Sequence, residues 1–416
     1  MKSPDLQSFR LKNFKAVQDS GIIKFTPLTV FIGNNGSGKS SIIEGLEMLY
    51  AITEQGLDSA MRPWLDFKNI WNQAVPHELA KQGEDGVRSY LTNPMSFDLQ
   101  GSLEVETSLI ALNGKPRRIS VRSSMDITTG PTYDDLFIKR ERLTQRGPNS
   151  FSFAFERDDS GNVTGNYTVD EVKKPLQTRL AYDDTVINVS LPAPHEVALK
   201  SFISNWQFIS LVPQEMGMPK PRRRTVRDIR LEKDGSNIAE YLLSINEIDK
   251  TAFAGIVKTL QSILPYTRDL QPTLTSELER AVYLQLTEQD FKIPGWLLST
   301  GTLRILALLA LLRHPFPPPL IVIEEIENGL DPRSVAIIVE EIRSVIENGK
   351  SQIIITTHSP YLLDLLSLSQ IVMVERIDNQ PAFTRPADQE TLQIWAEKFS
   401  PGTLYTMNKL GKEGHI

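Results

Sequence analysis

Residues 33–40 of this 416-residue chain read G-N-N-G-S-G-K-S, which fits the phosphate-loop pattern G-x-x-x-x-G-K-S at every fixed position. Such a loop works only where a strand hands the chain to a helix N-terminus, so it constrains the fold on both sides. Residues 28–32, L-T-V-F-I after Pro27, form the short apolar, β-rich run expected of a strand buried on both faces of a parallel sheet. Ile42, Leu46 and Leu49 then recur at helical spacing, so a helix opens inside the motif. Gly33, Gly36 and Gly38 let backbone N–H groups curl around phosphates, and the helix dipole adds positive potential there. Lys39 would reach the β and γ phosphates of a bound triphosphate, and Ser40 would ligate Mg²⁺.

Length allows two or three ordinary domains, or one large α/β domain with insertions. The longest apolar run, residues 305–312, is bracketed by Arg304 and Arg313 and falls far short of the ~20 residues a membrane helix needs. No membrane span is therefore expected. The first residues lack the apolar core of a signal peptide, and cysteine is absent, which excludes disulfides, cysteine nucleophiles and cysteine-based zinc sites. Both features suit a cytoplasmic protein. With a net charge of -6 there is no global basic field, so any nucleic-acid contact must use a local patch.

Residues 6–14 and 21–25 alternate as strands before the phosphate loop. Leu99, Leu103, Val105, Leu109 and Leu112, a break at Asn113 and Gly114, and resumption at Ile119 and Val121 predict a β-hairpin over 98–121. A second hairpin is expected from 152–156 and 163–167, turning at 159–162, whereas 126–150 reads as a polar, loop-rich insertion. From Ala198 the chain turns helical, reaching 206–213, and then carries a basic run: Lys220, Arg222, Arg223, Arg224, Arg227 and Arg230. Clustered arginines can bind phosphate backbones or a γ-phosphate, or simply face solvent, and the run is the patch to test for DNA. Amphipathic helices are expected over 237–248 and 252–264, and a strand over 281–286. No internal repeat or sustained heptad is visible.

Three further motifs follow residue 296. The first, L-S-T-G-T-L-R at 298–304, is a small-residue turn opening an apolar helix, with the Ser299 hydroxyl and the Gly301 amide as anion donors. The second, L-I-V-I-E-E-I-E-N-G-L-D-P at 320–332, is an apolar strand ending in adjacent carboxylates, an arrangement that is costly unless a cation sits nearby. Glu324 could hold Mg²⁺, directly or through water, and Glu325 could polarise the water that attacks the γ-phosphate. The third, Q-I-I-I-T-T-H-S-P at 352–360, ends an apolar strand in His358, whose neutral imidazole could bond a γ-phosphate oxygen or the attacking water. An amphipathic helix over 334–347 lies between the last two, giving the β-α-β order of a parallel sheet.

Together the four elements resemble the nucleotide-binding head of the ABC ATPase class, with Walker A, signature, Walker B with D-loop, and H-loop. More narrowly, the chain resembles the AAA-type ATPases related to RecF, SMC and overcoming-lysogenisation-defect proteins. The phrases that carry this are F-R-L-K-N-F-K at 9–15, K-D-G-S-N-I-A at 233–239, 302–312, 357–363, and the tail from Gly402 to Gly411.

The resemblance implies an α/β fold: a P-loop head with a mixed sheet, an antiparallel β subdomain and a helical signature subdomain. The expected division is 1–65 and 298–416 as the two parts of the ATPase head, 66–195 as a β-rich and loop-rich insertion, and 196–297 as a helical lobe. It also implies two heads dimerising head to tail around ATP and Mg²⁺. Gly33, Asn34, Asn35, Gly36, Ser37, Gly38, Lys39, Ser40 and Ser41 would bind in cis, and Ser299 and Gly301 in trans. Glu325 would be the catalytic carboxylate, Asp331 the D-loop residue that senses the partner, and His358 the switch. The sequence departs from the family at Thr300 and Glu324, where Asp is usual, and at Ile326, where Pro is usual. Gln73, by its position after the first helix, is a candidate for the glutamine loop, and the favoured alternative is an ordinary surface glutamine.

The function this implies is an ATPase, dimeric or of higher order, that drives or licenses a separate effector protein in DNA repair or anti-phage defence. The alternative is a slow ATP sensor or scaffold regulating a nuclease or toxin. A nuclease within the chain is disfavoured because no Asp-x-Asp pair follows His358. A chromosome organiser is disfavoured by the missing heptads and missing zinc-hook cysteines.

Overall fold

The computed structural model describes residues 5–76, 78, 90–105, 117–130, 133, 135–147, 152–169, 172–189, 198–222, 229–275 and 281–411. The chain opens with β1 (Leu6–Phe14), β2 (Val17–Asp19), β3 (Ile23–Lys24), β4 (Leu28–Ile32), α1 (Lys39–Gln55), α2 (Leu57–Met61) and α3 (Phe67–Ile70). Six strands follow: β5 (Met95–Val105), β6 (Arg117–Thr129), β7 (Leu136–Arg146), β8 (Ser152–Arg157), β9 (Asn162–Val169) and β10 (Val172–Arg179). Next come α4 (Ala198–Ser204), β11 (Gln207–Ile209), α5 (Pro213–Met216), β12 (Lys220–Pro221), α6 (Ile238–Ile248), α7 (Lys250–Ile263), β13 (Thr267–Leu274), β14 (Ala281–Glu288) and β15 (Phe291–Pro294). The last part holds α8 (Thr300–Leu312), β16 (Leu320–Ile323), α9 (Pro332–Glu347), β17 (Gln352–Thr357), α10 (Pro360–Asp364), β18 (Ile371–Ile377), β19 (Gln380–Thr384), α11 (Glu390–Ala396) and α12 (Pro401–Thr406).

The centre is a six-stranded sheet in the order β11-β16-β17-β4-β18-β19, parallel except for the β18–β19 edge pair. Its core strands are continuous apolar runs because both faces are covered, and successive side chains feed opposite cores. Phe31, Leu320, Val322 and Ile354 enter one core with α1 and the antiparallel sheet. Val30, Ile32, Ile321, Ile323, Ile353 and Ile355 enter the other, with α6 to α9. Helix α8 is buried almost all round, which explains its uninterrupted leucines and alanines at 305–312. Among the described residues no helix is long and apolar enough to cross a membrane.

The antiparallel sheet has nine strands, β10-β9-β8-β7-β6-β5-β1-β2 with β3 beside β1, so the strands of 66–195 extend those of the N-terminus. The hairpin expected over 98–121 is β5–β6, paired from Met95↔Ile127 to Val105↔Arg117; its Asn113 and Gly114 turn lies outside the described residues. The second hairpin is β8–β9, with Asp158 Oδ1 accepting from Ser160 N–H and Asn162 N–H at the turn.

Residues 126–150 are not a loop-rich insertion. β6 continues to Thr129 and β7 occupies 136–146. The pattern misled because two inward positions of β7, Glu141 and Gln145, are buried polar residues, which breaks the alternation. Two more elements depart from expectation. The helix starting at Ala198 ends at Ser204, and Gln207–Ile209 is a strand parallel to β16, only three residues long and so without a periodic signal. The segment 196–297 also carries a four-stranded antiparallel sheet of β12, β13, β14 and β15 beside its helices.

Candidate nucleotide site

Parallel register brings the predicted residues to one edge of the central sheet. β17 pairs with β4 up to Thr357↔Ile32, so the next residues, His358 and Gly33, leave the sheet side by side. β16 ends at Ile323 on the other flank of β17, which sets Glu324 and Glu325 at the same edge. Ligands of α/β sheets bind at this carboxyl end of the strands.

The phosphate loop runs from β4 into α1, whose first residue is Lys39. Gly33 sits where a Cβ would lie 2.0 Å from the Val374 carbonyl oxygen of β18, so no side chain fits. Lys39 is buried, and its ammonium donates to the Gly33 carbonyl at 2.7 Å and the Asn34 carbonyl at 3.0 Å. Burial pulls its pKa down, and the negative fields of Glu325 and Glu327 oppose that. The Ser37 hydroxyl is buried in the loop without a hydrogen-bond partner. A phosphate oxygen would supply what both groups lack, an acceptor for Ser37 and an anion for Lys39, so the residues fit a bound triphosphate. Asn34, Asn35, Gly36 and Ser40 are exposed at the mouth, and Ser41 is buried.

Beyond β16 the chain turns sharply. Glu325 has φ +47, a left-handed conformation uncommon outside glycine and concentrated at functional sites. Hydrogen bonds lace this turn to the end of β17: Glu325 N–H donates to Thr356 Oγ1 at 2.9 Å, and His358 N–H donates to Glu327 Oε1 at 2.5 Å. The Asn328 side-chain amide donates to Glu325 Oε2. Glu324 is half-buried; burial pushes its carboxyl up, Lys233 opposes, and Glu47, Glu44 and Glu325 add to the rise. Lys233 is itself held by Glu47 at 2.6 Å. A divalent cation would relieve this crowding, and Mg²⁺ sites of one or two carboxylates plus phosphates are of this kind, so Glu324 fits that role.

The remaining predicted residues are placed as follows. Ser299 caps α8, its Oγ accepting from Thr302 N–H at 3.1 Å, so the helix begins at Thr300 rather than Ile305. Gly301 lies against Gly329, whose carbonyl oxygen would be 2.7 Å from an added Cβ, so the turn that opens α8 packs on the segment leading to Asp331. Burial pulls the Arg304 pKa down, and the negative field of Glu325 opposes that. Asp331 caps α9 through Arg333 N–H, Ser334 N–H and the Ser334 hydroxyl, which hold its carboxyl below the usual range. Gln73 spends its side-chain amide on the Lys68 and Trp71 carbonyls. Of the basic run, Lys220 lies in β12, Arg222 pairs with Glu247 and Arg230 donates to the Ser204 carbonyl; Arg223, Arg224 and Arg227 lie outside the described residues.

Sequence reasoning missed three groups at this edge. Glu327 and Thr356 anchor the turn, and Arg376 of β18 donates to the Gly36 carbonyl at 3.0 Å. The first two stand inside motifs already quoted, whereas Arg376 is brought in by tertiary structure alone.

A family model described as "AAA domain, putative AbiEii toxin, Type IV TA system" matches residues 28–364. No curated protein matches. Among solved structures, an SMC head bound to the C-terminal winged-helix domain of ScpA aligns with a TM-score of 0.52 at 14% identity, over 92% of this chain and 97% of that one. An SMC head domain with an extended coiled coil, bound to the C-terminal domain of ScpA derived from Pyrococcus furiosus, aligns with a TM-score of 0.48 at 13% identity, over 95% and 99%. The first likeness establishes the head fold.

Proposed function

The chain belongs to the AAA-domain family described for AbiEii-type, type IV toxin–antitoxin systems, and from that premise we propose that it binds and hydrolyses ATP as one head of a head-to-tail dimer. One observation carries the reading. Lys39, Glu325 and His358 converge at one sheet edge; the head-to-tail arrangement, with Ser299 and Gly301 of one copy acting on the nucleotide of the other, follows from the resemblance to ABC heads.

In this reading Lys39, Ser37 and the loop amides grip the triphosphate, Ser40 and Glu324 hold Mg²⁺, and Glu325 polarises the attacking water. Mg²⁺ held there would supply positive charge to the triphosphate. His358 hydrogen-bonds the γ-phosphate side, and Asp331 lies where a partner head would be sensed. The output is a switch on a separate effector protein, in defence or DNA repair; the family description, which names a toxin–antitoxin system, bears on defence alone.

The test is phosphate release together with light scattering in ATP and Mg²⁺. Glu325→Gln should slow turnover by about 10²-fold or more and accumulate an ATP-bound dimer. Lys39→Ala should abolish nucleotide binding. Unchanged turnover in Glu325→Gln would overturn hydrolysis. Full biological function in Glu325→Gln with none in Lys39→Ala would favour the slow sensor.

A further inference from the structure

Glu327 has been given no role by motif or family description. It lies in the acid turn, three residues after Glu324, and its side chain reaches the end of β17. There Oε1 accepts the His358 N–H at 2.5 Å. That N–H is the first one past β17, where sheet pairing stops. The other oxygen, Oε2, is buried and accepts no hydrogen bond.

A carboxylate with one orphaned buried oxygen is a poor device for stability, since the unpaired oxygen costs the desolvation it never recovers. Its retention is better explained by geometry. The Glu327 charge is also felt at Lys39, so the group belongs to the triphosphate edge and not to a remote surface.

We propose that Glu327 is the positioning residue for His358, gripping the peptide N–H from which the imidazole is presented and thereby tying the H-loop to the acid turn. Three contacts make the tie: Glu325 N–H to Thr356 Oγ1, Ile326 N–H to the Thr356 carbonyl at 3.4 Å, and Glu327 to His358. Only the last uses a side chain from the acid turn, and only the last reaches His358 itself. Because one acceptor oxygen performs the grip, the negative charge is dispensable, and glutamine, which keeps that oxygen, replaces glutamate.

The inference rests on the ATPase reading for its kinetic arm, but the amide-exchange arm stands without it. Single-turnover hydrolysis and hydrogen exchange of the peptide containing His358 are measured for the wild type, Glu327→Ala, Glu327→Gln, His358→Ala and the Glu327→Ala/His358→Ala pair. Glu327→Ala should lower the rate about tenfold or more with the nucleotide KM within about twofold, and Glu327→Gln should restore it to within about threefold. On the His358→Ala background Glu327→Ala should add less than about twofold, because a group acting through His358 has nothing left to position. Exchange at the His358 amide should quicken about tenfold in Glu327→Ala and stay at the wild-type rate in Glu327→Gln. Additive losses in the pair, or wild-type exchange in Glu327→Ala, would overturn the proposal. A wild-type chain that fails to hydrolyse ATP sinks the ATPase reading, and the exchange result then decides Glu327 by itself.

Discussion

The side-chain amide of Gln352 holds the backbone of Leu6 from both sides: Leu6 N–H donates to Oε1 at 2.9 Å, and Nε2 donates to the Leu6 carbonyl at 2.9 Å. Nε2 also reaches the Thr26 carbonyl at 3.2 Å. Gln352 begins β17 of the central sheet and Leu6 begins β1 of the antiparallel sheet, so one buried amide joins the two sheets across 346 residues of chain. Gln352→Ala strands a buried N–H and a buried C=O. The expected loss is about 3 kcal/mol, since each unsatisfied buried group costs roughly 1–3 kcal/mol. A urea titration should show a lower midpoint; an unchanged midpoint would mean that water replaces the amide at no cost.

Glu141 sets a pH dependence in the antiparallel sheet. It is fully buried, with Oε1 accepting from the Thr185 hydroxyl and Oε2 from Val186 N–H at 2.8 Å. Burial pushes its carboxyl up to about 7, against the pull of Thr185, Val186 and the buried Arg157. Arg157 spends its guanidinium on the Ile138, Ala181 and Tyr182 carbonyls. A carboxyl with a raised native pKa binds its proton more tightly folded than unfolded. Its stabilising contribution is therefore full below the unfolded pKa and is lost as pH rises through about 7. Urea midpoints should fall between pH 5 and pH 8 by the equivalent of about 3 kcal/mol, and Glu141→Gln should flatten that slope. An equal slope in the variant would assign it to other groups.

Strands β4, β16 and β17 of the central sheet were legible because burial on both faces writes strands as apolar runs, and the phosphate loop, acid pair and His358 are pinned to the ends of those runs; β11 reads as helical, and β18 and β19 are not among the expected strands. The order of the strands supplied the edge on which they meet. The antiparallel sheet was legible only in part. In β7 the inward Glu141 and Gln145 hide the period of two: Glu141 is satisfied by Thr185 and Val186, far along the chain, and Gln145 Oε1 accepts no hydrogen bond, so no local pattern announces either. Arg376 is the same kind of case: its contact with Gly36 spans 340 residues and exists only once β18 pairs with β4. Glu327 was visible as a third acid in its motif, but only the strand ends show that it faces His358.

The basic run separates into two predictions. Arg230 donates to the Ser204 carbonyl and to the Asn205 side chain, so Arg230→Gln should lower stability and leave the affinity for duplex DNA unchanged. Arg222, half-buried and paired with Glu247, is replaced together with Arg223 and Arg224. If this patch binds DNA, affinity should fall and the slope of log affinity against log salt should flatten by about 0.9 for each phosphate contact removed. Fluorescence anisotropy at several salt concentrations reads both, and an unaltered slope would discard the patch.

Two glycines of the phosphate loop should respond differently to the same methyl group. At Gly36, φ is +73 and nothing lies within 4 Å of an added Cβ. Gly36→Ala then costs only the left-handed backbone penalty of roughly 1–2 kcal/mol, and the fold survives. At Gly33 the Cβ would stand 2.0 Å from the Val374 carbonyl oxygen, which belongs to a neighbouring parallel strand and has no rotamer to change. Gly33→Ala must push β4 from β18 or move the loop away from the carbonyls of Gly33 and Asn34 that seat Lys39. Binding of a fluorescent ATP analogue, read beside a thermal melt, should show Gly36→Ala melting close to the wild type with weakened binding. Gly33→Ala should melt lower and bind no detectable nucleotide. If Gly33→Ala binds as tightly as Gly36→Ala, the loop has room to shift on its strand, and the close approach to Val374 is not what fixes the phosphate cradle.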